Sequence, residues 1–86
     1  MDISCFVVER TVWSERLEQP YTGNEHRTVC GVFMAYEDAR RFVERSAIRA
    51  PYPMQWKGDF KCSGQSVLDG CTEHGTEFEI LQAPLM

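Results

Sequence analysis

The sequence has two histidines, two lysines, and no apolar stretch approaching the length of a membrane span. Each shortage excludes something. A transmembrane helix needs roughly 20 largely apolar residues in a row, and Cys5-Phe6-Val7-Val8 is too short even for the apolar part of a secretory signal. Met1-Asp2-Ile3-Ser4 carries no basic lead-in. The sequence therefore predicts a cytoplasmic protein with no membrane partner. There is no phosphate-cradling glycine loop, no His-Glu-x-x-His pair and no nucleophile elbow. Cys, His and Glu are present, but without spacing that brings nucleophile, base and orienting group together. The reading is that the chain is not an enzyme. Basic residues are also outnumbered, nine against thirteen acidic, for a net charge of −4. That balance makes nucleic acid an unfavoured partner, because phosphate neutralisation supplies most non-specific affinity.

What is present describes a folded domain. A hydrophobic share of 43% and a charged share of 26% are ordinary for globular proteins and too apolar for disorder. Eighty-six residues predict a single domain, 1–86, near the size where one core just suffices. From Ile3 to Trp13 the β-branched and aromatic residues predict a strand, central because Cys5 to Val8 is apolar on both faces. Turn formers from Ser14 to Glu25 predict a connection to a second strand, about His26 to Met34, with Val29, Gly31 and Phe33 on one face. Tyr36 to Arg49 predicts a helix: Tyr36, Ala39, Phe42, Val43 and Ala47 gather on one side, Glu37 and Asp38 open it, and Arg45 and Arg49 close it. No capping side chain stands at its start, Pro51 stops it, and Ile48 falls on its polar side. Ala50 to Gly75 reads as an irregular insertion, within which Gly58-Asp59 could turn an extra hairpin. Thr76 to Gln82 alternates as a last strand. The right-handed crossover rule then gives an α+β fold of order ββαβ: a three-stranded antiparallel sheet, order 2-1-3, with one helix on one face. The expected core is Phe6, Val8, Val29, Phe33, Phe42, Val43, Phe78 and Ile80.

Cys30-Gly31-Val32-Phe33, the helix residues Tyr36 to Glu44, and Phe78-Glu79-Ile80 together resemble small ββαβ domains of unknown function from bacterial and phage genomes. The resemblance covers about half of the chain, implies the fold, and carries no catalytic residue across. In size, acidity and lack of motif the chain is also similar in type to phage-encoded inhibitors of host systems, including anti-CRISPR proteins. That similarity implies a binding protein acting on a host protein or protein complex; the expected state is a monomer or homodimer.

Candidate sites follow. Tyr52, Met54, Trp56 and Phe60 concentrate aromatic and thioether side chains in the insertion, as interface anchors do; a roof over the sheet accounts for them equally well. Arg41, Arg45 and Arg49 recur at i, i+4 and i+8 on the exposed side of the helix. A solvated face is favoured there over a contact surface for nucleic acid or an acidic protein. Cys5 and Cys30, inside apolar runs, are expected to be buried free thiols. Cys62, Cys71 and His74 form a weak metal-ligand pattern, looser than the paired cysteines of structural zinc sites. Loop thiols are favoured, with a Cys62–Cys71 disulfide next, so no cofactor or metal is expected. The leading expectation is a non-enzymatic protein-binding inhibitor that occludes a partner surface. The alternatives are a nucleic-acid-binding accessory domain using the helix arginines, or a domain stapled by zinc or a disulfide.

Overall fold

The computed structural model describes residues 4–16, 24–68 and 72–84. Their elements are β1 (Ser4–Arg16), β2 (Asn24–Phe33), α1 (Tyr36–Ile48), β3 (Gln55–Lys57), β4 (Lys61–Leu68) and β5 (Thr72–Pro84). They make one α+β unit, an antiparallel sheet of order β2-β1-β5-β4-β3 with one helix. The expected 2-1-3 neighbours survive as β2, β1 and β5, with β1 paired on both sides, but β5 and not β1 is the central strand of the sheet. The described residues form five strands, because the hairpin that Gly58-Asp59 allows for is present and is paired to β5 as part of the same sheet. The expected irregular insertion supplies β3 and β4, a hairpin turning at Gly58, whose φ of 77° suits glycine.

Composition hides β4 for a physical reason. Lys61, Ser63 and Gln65 face away from the helix and stay polar. On the other side Gly64 lies beneath the incoming chain, where an added Cβ would collide with the Pro53 carbonyl and Met54 Sδ. A strand that needs glycine on one face and tolerates polar residues on the other shows no apolar alternation.

One face of the sheet carries Phe6 and Val8 from β1, Phe78 and Ile80 from β5, Cys62 from β4 and Phe33 from β2. Cross-strand partners fix this, since Val8 opposes Ile80, Cys62 opposes Phe78, and Phe6 opposes Phe33. Helix α1 buries Ala39 and Val43 against that face, and Phe33 meets Phe42 at 5.5 Å between ring centroids. Val8, Val43 and Cys62 are almost wholly inaccessible; full burial of each valine contributes about 1.5–3 kcal/mol. The helix begins without a side-chain cap at Ala35, ends at Arg49, and leaves Ile48 83% exposed, as its sequence pattern implies.

Val29 departs from the expected core. The β1–β2 register slips between Val8 and Glu9, so that Val8 opposes Gly31 while Glu9 already opposes Val29. Cys30 is the extra residue of a β-bulge, half-buried against the core. Beyond it the alternation of β2 inverts, and Val29 turns to the outer face, 57% exposed. Cys5 is buried, and Cys5, Cys30 and Cys62 are free thiols. Cys71 lies outside the described residues. No helix among the described residues is long and apolar enough to cross a membrane.

Candidate interaction surface

The aromatic residues after the helix divide by strand alternation. Trp56 opposes Cys62 and so faces the helix side. It is half-buried against the core, with the Arg40 guanidinium 4.5 Å from its ring centroid. Arg40 is held there by donating to the Tyr36 hydroxyl at 3.1 Å and to Glu44 Oε1 at 3.1 Å. These bonds, that to Tyr36 first, raise the guanidinium's already high pKa. The Tyr36 hydroxyl in turn donates to the Asp59 carbonyl, which ties the β3–β4 turn to the helix. Phe60, 47% exposed, packs edge-on against Tyr36 at 5.6 Å. Met54 packs on the core, and the Tyr52 hydroxyl lies 2.6 Å from Thr76 Oγ1. Tyr52, Met54 and Trp56 thus line the inner side of the chain after α1, and Phe60 is the exposed member of the set.

The helix arginines do not converge with them. Arg41 stands beside Asp38 at 4.0 Å, Arg45 is exposed in the last turn, and Arg49 borders a cleft of about 350 Å³ with Arg10 and Phe78. Cys62 lies under the helix side beside Trp56 and Phe78. Burial pushes its thiol pKa up, with Arg40 pulling weakly the other way. Among the described residues no three metal-ligating side chains cluster; the side chain of His74, like Cys71, is outside them.

The opposite face has no described element over it, and here sequence reasoning placed no site. Register sets its rows. Val32, Val7 and Leu81 lie side by side across β2, β1 and β5. Next come Val29, Glu9, Glu79, Lys61 and Lys57 across all five strands. Val32, Val29 and Leu81 are exposed by 58%, 57% and 36%. In the second row Glu9 and Glu79 oppose each other, an unfavourable pairing, and Lys61 relieves it at 3.5 Å from Glu79. The signal available in the sequence was the doubly apolar run Cys5 to Val8. It marks a strand paired on both sides, though not the central one, and does not say whether both faces are covered.

Comparison with family models, with curated proteins and with solved structures returns no match.

Proposed function

We propose that the protein is a non-enzymatic protein-binding module that occludes a partner's surface with its outer sheet face, the mode of action of small phage-encoded inhibitors. The observation that carries this reading is the apolar row Val32–Val7–Leu81, exposed at Val32 and Leu81 and half-buried at Val7, with exposed Val29 beside it. An apolar centre bordered by the ionic row Glu9, Glu79 and Lys61 has the anatomy of a protein interface: a dry core and a polar rim. The nucleic-acid reading draws less support, since Arg40 and Arg41 already have acidic neighbours on the helix and the chain is acidic overall.

Affinity capture with cross-linking from the native host's lysate tests the proposal. Val29→Lys with Val32→Lys, both on exposed edge-strand positions, should weaken capture of the partner at least about tenfold. Arg45→Glu should alter only its rate and salt dependence. Capture that survives the double valine variant but disappears with Arg45→Glu, or on nuclease treatment, would overturn it.

A further inference from the structure

At the far end of the outer face lies a groove of about 510 Å³ that the protein-binding reading does not use. Two adjacent rows of the sheet build it. Gln55, Ser63 and Glu77 are cross-strand neighbours on β3, β4 and β5, and Gln65, Gly75 and Trp13 are neighbours on β4, β5 and β1. Lys57 closes one side.

The glycine in the second row decides how the tryptophan lies. A Cβ on Gly75 would meet Cζ2, Cε2 and Cη2 of Trp13 at closely similar distances, all far inside contact. An edge-on ring would present one atom well ahead of its neighbours, so the indole meets the Gly75 backbone face-on. It lies across β5 toward Gln65, with one ring face spent on the buried glycine and the side chain as a whole half-buried. The ring is thereby a fixed platform at the groove.

Around it, Gln55, Lys57, Ser63, Gln65 and Glu77 make no side-chain hydrogen bond or ion pair with another described residue. Two amides, a hydroxyl, a carboxylate and an ammonium offer both donors and acceptors there. One carboxylate and one ammonium cancel in charge, which argues against a nucleotide or another anion. Groove volumes of this order accommodate small ligands, with a few polar groups fixing orientation.

We infer that this groove binds a neutral saccharide. The C–H face of a pyranose ring stacks on the Trp13 indole, and its equatorial hydroxyls bridge the Gln55, Gln65 and Ser63 side chains and Glu77.

Proton–nitrogen correlation spectra of the full chain, titrated separately with maltotriose, cellotriose, chitotriose and adenosine, test this. Concentrations up to about 20 mM reach affinities in the millimolar range. At least one of the three sugars should shift the Trp13 indole N–H together with the Gln55 and Gln65 side-chain amides. Trp13→Ala should weaken that binding about tenfold or more. Gln55→Ala with Gln65→Ala, at exposed positions, supplies a second variant that keeps the fold if loss of the indole does not, and should weaken binding as well. Val29→Lys with Val32→Lys should leave the titration unchanged, which separates this site from the protein-binding row. Absence of shifts with all three sugars, shifts with adenosine alone, or sugar binding undiminished in the glutamine variant would overturn the inference.

Discussion

Cys62 sits at 1% exposure between Trp56 and Phe78, opposite one on each side. Its thiolate would lose water, and this burial outweighs the opposing pull of Arg40, so its pKa is lifted above the ordinary value of 9.0. A folded-state pKa raised in this way contributes stability that is complete below the unfolded value and is lost as pH rises through the folded one. Denaturant midpoints followed from about pH 8 to about pH 10 should therefore fall more steeply for the wild type than for Cys62→Ala. Parallel slopes would count against it. Sequence spacing groups Cys62 with Cys71 and His74 because it sees only separation along the chain. The pairing of β4 with β5 adds what spacing cannot show, setting Cys62 opposite Phe78. Val29 is the same lesson in reverse. Its apolar character and its place in the alternation put it in the core, and a single bulge residue at Cys30 sends it outward.

At the scale of elements, α1 was the most legible piece, from its apolar stripe to the exposed Ile48 and the missing cap. Ala35 already has the extended geometry of a cap, φ −122° and ψ 141°, without a side-chain acceptor for the first-turn amides. Ala35→Ser supplies that acceptor and should stabilise the domain by about 1 kcal/mol, raising Tm by roughly 4–8 °C in a chain of this size. No change in Tm would show that the first-turn amides are satisfied by water. Strands β3 and β4 were the least legible, because turn chemistry at Gly58 and close approach at Gly64 shape their composition more than burial does. The polar groove beside Trp13 was hidden for a related reason: its residues are spread over four strands and become neighbours only through register.

For the molecule as a whole, length is the dominant feature: its extents are 52 × 24 × 19 Å. Thirteen strand residues of β1 reach about 43 Å, whereas the thirteen residues of α1 reach about 20 Å. Even laid along the strands, the helix covers less than half of them. It packs over the end that holds Val8 and Ile80, so cohesion is concentrated there. Amide hydrogen exchange should accordingly slow toward Val8 and Ile80 and quicken along β1 to Arg16 and along β5 to Thr72. Equal protection from Val8 to Arg16 would contradict this. The Trp13 groove lies toward the more weakly held end, so a ligand there should raise protection in the same amides.

The position of β5 has a consequence for synthesis. Without it, the sheet is two separate hairpins, β1–β2 and β3–β4, sharing no strand. A nascent chain can make each hairpin early, but it has no continuous sheet until the thirteen residues of β5, Thr72 to Pro84, have been added. At ordinary elongation rates that takes roughly a second. Until then the inner edges of β1 and β4 are open to other strands. Folding of this chain therefore waits on β5, which inserts between two waiting edges and joins them.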